Sequence, residues 1–170
     1  WENVYTTKAA DEVSWFQEHA ALSLKLIREA GVPLTASIID VGGGASTLVD
    51  DLLANGYENV TVLDLSGKAL ATAKARLGTL ASKVQWLEAN IIETKLDSNA
   101  YDVWHDRAVF HFLTTTEERH AYVQAVLRAV KPGGLVIVAT FAEDGPSKCS
   151  GLSVMRYDAN ELHAEFGEPF

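Results

Sequence analysis

An acid ahead of a glycine turn, a second acid further on, and a His-Asp-Arg cluster are the residues here whose types and spacing could do chemistry. Asp40-Val41-Gly42-Gly43-Gly44 forms the first group, and Asp64 follows Gly44 by twenty residues. Without a Cβ, Gly42 and Gly44 let the backbone take unusual angles and let a ligand approach the main chain closely. Such a turn suits a nucleotide-type cofactor, and it also serves plain tight turning. An acid at the tip of the second strand of a doubly wound sheet hydrogen-bonds the hydroxyls of a ribose. Asp64 equally suits the start of a helix after Ser66, where the helix dipole favours negative charge, and both roles can hold together. His105-Asp106-Arg107 gathers a base, an acid and a cation. His105 could take a proton and Asp106 could orient an amine, while an Asp-Arg neighbour pair is as often structural. His111 sits in an apolar run and reads as a satisfied core histidine.

These groups need alternating strands and helices to position them. Ile38-Ile39-Asp40-Val41 reads as a buried parallel strand, and Leu48, Val49, Leu52 and Leu53 as the helix packing back on it. Val60-Thr61-Val62-Leu63-Asp64 is a second strand, and the helix from Ser66 turns Leu70, Ala73 and Leu77 inward before stopping at Gly78. A third strand runs from Val84, and Tyr101-Asp102-Val103-Trp104 is a fourth, with residues 105–108 just outside its carboxyl end, where ligands of open α/β sheets bind. A Thr-x-x-Glu capping box within residues 114–118 opens a helix with Val123, Val126, Leu127 and Val130 inward. Lys131-Pro132-Gly133-Gly134 ends it, and residues 135–140 read as a fully buried fifth strand. Ahead of the sheet, Asp11-Glu12 opens an amphipathic helix through Val13, Phe16, Ala20, Leu24 and Ile27, closed by Gly31 and Pro33. Residues 141–156, rich in Gly, Ser and Pro, read as a long irregular loop leaving the same sheet edge, hence a candidate acceptor lid. Asp158 to Glu161 caps a last helix with Leu162 and Phe166 inward.

Taken in order, Asp40-Val41-Gly42-Gly43-Gly44, Asp64, Val84-Gln85-Trp86-Leu87-Glu88-Ala89-Asn90-Ile91, Tyr101-Asp102-Val103-Trp104 and Leu127-Arg128-Ala129-Val130-Lys131-Pro132-Gly133-Gly134 resemble the motif series of class I S-adenosylmethionine-dependent methyltransferases. The resemblance covers roughly residues 13–140. It implies an α/β fold, a doubly wound, Rossmann-like, mostly parallel sheet in the order 3-2-1-4-5. It also implies S-adenosylmethionine as cofactor, with its methionine end at Asp40, Gly42 and Gly44, its ribose on Asp64, and its adenine near Leu65, Asn90 and Ile91. The family usually carries an aspartate where Asn90 stands, and the amide oxygen can accept the same adenine hydrogen. Trp1, Tyr5 and Ser14-Trp15-Phe16, with Asp106-Arg107, resemble the group related to elongation-factor lysine methyltransferases. That likeness implies Tyr5, Trp15 and Arg107 as further cofactor residues, with Arg107 standing where a lysine is expected. The three opening aromatics could also line an acceptor pocket or cap the sheet edge. Family members normally finish with two further strands, where this chain has only Glu168-Pro169-Phe170. A fragment or a short member, with one flank of strand five uncovered, is the resulting expectation.

The resulting activity is methyl transfer to an unidentified acceptor, a protein lysine or a small molecule, with His105 and Asp106 as the catalytic candidates. A nicotinamide-dependent oxidoreductase is the rival enzyme, although its fingerprint wants a third glycine where Thr47 stands. A scaffold that holds the cofactor without catalysis is the other alternative. The 170 residues suit one domain: a cap and helix over 1–35, a cofactor-binding core over 36–140, and a loop and helix over 141–170. No apolar run approaches the roughly 20 residues of a membrane span, and Trp1-Glu2-Asn3-Val4-Tyr5 is no signal peptide, so no membrane partner and a cytoplasmic location are expected. The lone Cys149 excludes an internal disulfide and a cysteine-built metal cage; it reads as an incidental loop thiol, and no metal is expected. A net charge of −9 repels polyanions, so nucleic acid is not the expected substrate, while basic proteins and cationic metabolites are attracted alike. Lys68, Lys74, Arg76 and Lys83 are spread along a helix and its exit as a solvated face.

Overall fold

The computed structural model describes residues 17–107 and 109–167. Five strands form one parallel sheet: β1 (Ser37–Val41), β2 (Asn59–Asp64), β3 (Val84–Glu88), β4 (Tyr101–Asp106) and β5 (Val130–Val138), in the order β3-β2-β1-β4-β5. The helices between them are α1 (Ala21–Glu29), α2 (Leu48–Ala54), α3 (Gly67–Leu77), α4 (Thr116–Ala129) and α5 (Ala159–Phe166). The doubly wound α/β reading therefore holds. No helix among the described residues is long and apolar enough to cross a membrane.

Successive strand residues face opposite sides of the sheet, so each central strand feeds two cores. Ile38 and Val103 pack with Ile27 of α1, Leu48 and Leu52 of α2 and Leu70 of α3. Their neighbours Ile39 and Trp104 pack on the other face with Tyr122 and Val126 of α4 and Phe166 of α5. The indole of Trp104 donates to the Tyr122 hydroxyl at 2.9 Å, and the two rings meet edge to face at 5.7 Å. Capping boxes start α4 at Thr115 with Glu118 and α5 at Asp158 with Glu161, each satisfying two otherwise orphaned backbone donors.

Four expectations are corrected. The first described helix begins at Ala21 rather than running on from residue 11: residues 17–20 are not helical, and the Ala20 amide is drawn to the Asp51 carboxylate at 2.8 Å. Val13 and Phe16 of the expected stripe lie outside the described residues. Second, Leu127 of α4 is exposed. Third, residues 131–134 do not separate helix from strand; β5 starts at Val130, directly after α4, and they bulge within it, since Tyr101 pairs with Val130 and Val103 with Leu135. The strand is half-buried rather than fully buried, because among the described residues it pairs only with β4. Fourth, residues 141–156 are not wholly irregular. They contain a hairpin, β6 (Lys148–Cys149) against β7 (Leu152–Ser153), turned by Ser150 and Gly151 with φ of 51° and 80°, the positive pair that matches strand twist.

Trp104 has no exposed surface and joins β4 to α4. Trp104→Ala is expected to cost about 3–5 kcal/mol, the range for emptying a large aromatic site. The urea midpoint checks this, and a shift under a third of that would mean the core collapses around the gap.

Candidate functional site

β1 delivers its acid directly into a crowded turn. Gly42 and Gly44 have φ of 72° and 37°, angles that favour glycine, and the Gly42 and Gly43 amides both bond to the Leu63 carbonyl of β2 at 2.7 and 3.2 Å. A Cβ on Gly43 would stand 2.5 Å from Asp40 Oδ2, and one on Gly44 would stand 2.6 Å from Asp64 Oδ2. The turn is thus glycine for two reasons: the backbone angles, and two carboxylates pressed against it.

The register of β1 against β4 places Asp40 beside His105. Asp40 Oδ1 meets His105 Nδ1 at 2.7 Å, and His105 Nε2 meets Ser23 Oγ of α1 at 2.8 Å, all three residues being buried. An unprotonated carboxylate oxygen can only accept, so Nδ1 is the donor toward Asp40, and Nε2 pairs with the serine hydroxyl. Both nitrogens of His105 are therefore engaged within the protein. Asp40 Oδ2 is buried and has no partner among the described residues.

Asp106 is fully buried. Its carboxylate accepts the amides of Val109 at 2.7 Å and Phe110 at 3.0 Å and the hydroxyl of Tyr122 at 2.5 Å. Burial, then the adjacent Asp106 charge, push the Tyr122 hydroxyl well above its ordinary range, so it stays a donor. The expected acceptor-orienting role of Asp106 is corrected here: the acid fixes the 3₁₀ turn Phe110–Phe112. Arg107 donates through Nη1 to Gln17 Oε1.

A cavity of about 430 Å³ lies at the carboxyl ends of all five strands. Asp40, Gly42, Asp64, Leu65, Asn90, Ile91, His105 and Arg107 line it together, as the sequence leads one to expect. Gly44 stands behind Asp64 instead of at the wall, and Asp106 does not line it. Tyr5 and Trp15 lie outside the described residues. Asn90 Oδ1 already accepts the Ile92 amide at 3.3 Å, leaving it one further lone pair.

On the other wall, Phe141 and Cys149 come from the segment read as an acceptor lid, while Val109, His111, Phe112 and Leu113 were missed by sequence reasoning. His111 is buried, yet neither ring nitrogen has a hydrogen-bond partner of ordinary geometry among the described residues. It is wedged between Phe112 and Phe141, with ring centres 4.3 and 5.0 Å away. Burial pulls its pKa down to about 4, with a smaller opposing effect from the Ala139 carbonyl. The reading of His111 as a satisfied core histidine is corrected to a buried but unsatisfied one. Cys149 is half-buried at the same wall, and burial raises its thiol pKa. The available signal was position: residues just past the tip of β4 fall on the ligand edge whatever their local hydropathy.

Comparison with known proteins agrees with this geometry. A family model described as a methyltransferase domain matches residues 39–138. EEF1A lysine methyltransferase 2 of Homo sapiens is 23% identical over 137 residues, covering 74% of this chain and 56% of the relative. The chain thus spans about half the length of the curated relatives it matches. The structure described as "Conversion of a Disulfide Bond into a Thioacetal Group during Echinomycin Biosynthesis" superposes with a TM-score of 0.74 at 18% identity, covering 98% of this chain and 75% of that one. A methyltransferase in complex with the Haloferax volcanii Trm112 methyltransferase activator gives 0.68 at 18% identity, covering 82% of this chain and 64% of that one. At these identities the structures establish the fold alone.

His111 makes the site pH-sensitive. Its folded pKa of about 4 lies below the ordinary 6.5, so between the two the unfolded chain binds the extra proton. Its contribution to stability is complete above 6.5 and is lost as pH falls toward about 4. Urea midpoints of the wild type should fall more steeply across that window than those of His111→Phe, and parallel curves would contradict the assignment.

Proposed function

Since the chain belongs to the methyltransferase domain family, we propose that it transfers a methyl group from S-adenosylmethionine to an acceptor seated at the β4 and β5 side of the cavity. The observation that carries this reading is the gathering of Asp40, the glycine turn, Asp64 and Asn90-Ile91 along one wall, in the order of the strand tips. S-adenosylmethionine fits that donor set. The buried, unpartnered Asp40 Oδ2 wants a donor, which the ammonium of the amino-acid end would supply. Asp64 would take the ribose hydroxyls, and Leu65 and Ile91 would flank the adenine, with the remaining Asn90 lone pair as acceptor for its amino group. Bound there, the cofactor supplies an electrophilic methyl group on a cationic sulfur.

The protein's own share is orientation and exclusion of water. The Asp40–His105–Ser23 chain fixes the angle of the Asp40 carboxylate, and the Gly42 and Gly43 amides pin the turn to β2. Holding donor and acceptor in line removes much of the entropic part of the barrier, so no catalytic triad is required. Arg107, held by Gln17, borders the same cavity, in keeping with a donor-side role. Family membership favours this reading over a nicotinamide-dependent oxidoreductase.

A small-molecule acceptor suits a cavity of about 430 Å³ whose far wall is apolar. A protein lysine is the second reading, favoured by the likeness to EEF1A lysine methyltransferase 2. We place the activity in the cytoplasm, without nucleic-acid or membrane partners; the net charge of −9 disfavours polyanions.

Calorimetric titration with S-adenosylmethionine tests the donor site. Asp64→Ala should weaken binding by about 1–3 kcal/mol, the scale of charge-assisted hydrogen bonds lost without replacement. Equal affinity in wild type and variant would remove the ribose from Asp64.

A further inference from the structure

The two ends of the cavity differ in kind. Asp40 and Asp64 stand at the tips of β1 and β2, whereas the residues that follow β4 and β5 present His111, Phe112, Leu113, Phe141 and Cys149. No carboxylate lines that second wall among the described residues, and Arg107, the cation bordering the cavity, is bonded to Gln17. A primary ammonium would find no counter-charge there, whereas an uncharged acceptor carrying an X–H group would find a hydrogen-bond acceptor in an apolar setting. That acceptor is the imidazole of His111. Its main chain is fixed by the Met155 amide, which bonds to the His111 carbonyl at 2.7 Å, and its ring is gripped by two phenylalanines that offer it no hydrogen bond. A neutral imidazole always presents one nitrogen lone pair and one N–H. The Ala139 carbonyl lies near enough to favour the N–H of this ring, while the lone pair of its other nitrogen has no donor among the described residues.

Resting on the methyl-transfer reading, we infer that His111 is the base that takes the proton from a small, uncharged, protic nucleophile, a thiol or a phenol, bound against Phe112 and Phe141. The acceptor's X–H bond breaks with its proton passing to an imidazole nitrogen. Its freed pair forms the bond to the donor's methyl carbon, and the pair of the carbon–sulfur bond that breaks stays on the donor's sulfur. One positive charge crosses the cavity and none is created, so the apolar wall does not oppose the step as it would a lone ionisation. Burial keeps the ring in its proton-accepting form at every pH above about 4. The other titratable groups around the cavity are Cys149, whose thiol is held protonated by burial, and Asp40, Asp64, His105 and Arg107.

The test compares wild type, His111→Phe and His111→Gln. Donor affinity is read by calorimetry, and transfer of labelled methyl to thiophenol, phenol and a lysine peptide is read across pH. Donor affinity should be unchanged in both variants, while transfer to the thiol or phenol falls by about 10²–10⁴-fold, the usual contribution of a positioned base. That deficit should close as pH passes the acceptor's own pKa, because an ionised nucleophile needs no base. Independently of turnover, the His111 ring resonances should report a raised pKa when thiophenol is added to wild type holding S-adenosylhomocysteine. A deficit equal at every pH, an unmoved His111 pKa, preferential transfer to the lysine peptide, or transfer to none of the three each overturns the inference while leaving the donor site standing. Absence of donor binding by the wild type would instead bring down the methyl-transfer reading, and this inference with it.

Discussion

The hydrogen bond between Asp40 and His105 is the constraint on which the shape of the site depends. It spans the point where strand order reverses, between β1 and β4, and it extends through Ser23 into α1. One carboxylate oxygen is thereby committed to the scaffold and the other is left buried beside Gly43 without a partner. A buried oxygen in that state is costly until something donates to it. Ligand binding in open α/β sheets concentrates at the switch point, and here the switch point holds an unmet hydrogen-bond demand as well as a gap between loops.

Three aspartates stand at or near strand tips and do three different things. Asp40 is buried and half-satisfied, Asp64 is partly exposed and accepts the Ser66 amide at 2.7 Å, and Asp106 is fully buried with three donors from β4's own sequel and α4. Charge at each position is tolerated for a different physical reason: a histidine partner, water and a helix start, or a closed set of hydrogen bonds. Asp106 matters to the site only through what it holds. By capping the turn at Phe110–Phe112 it carries His111 and Phe112 to the cavity wall.

The far wall is assembled from distant pieces. Residues 141–156 return along the sheet edge, where Phe141 bridges to Arg156, the Tyr157 amide bonds to the Phe141 carbonyl at 3.0 Å, and Met155 bonds back to His111. The segment read as a lid is thus tied to the body at several points, and its hairpin brings Cys149 to the cavity. Fixed walls suit a site whose work is orientation.

Hydrophobic alternation, capping residues and glycine stops are local properties, and they sufficed for the existence of the five strands, both capping boxes and the ends of α1 and α3, whereas the sheet order and the grouping of residues from Asp40 to Ile91 at one edge came from the likeness of the ordered motifs to a known family. Local signals could not show that Ala20 is pulled out of the helix by Asp51, that residues 131–134 bulge inside β5, or that residues 141–156 form a hairpin. Nor could they tell which histidine is satisfied. His105, beside an acid and an arginine, looked reactive and proves to be bonded on both nitrogens, while His111, inside an apolar run, looked inert and is the one with unmet polar atoms. The difference rests on partners 65 and 82 residues away in the chain. Residue type determines what a side chain can donate or accept, but whether that capacity is used up depends on which distant groups folding brings within hydrogen-bond reach.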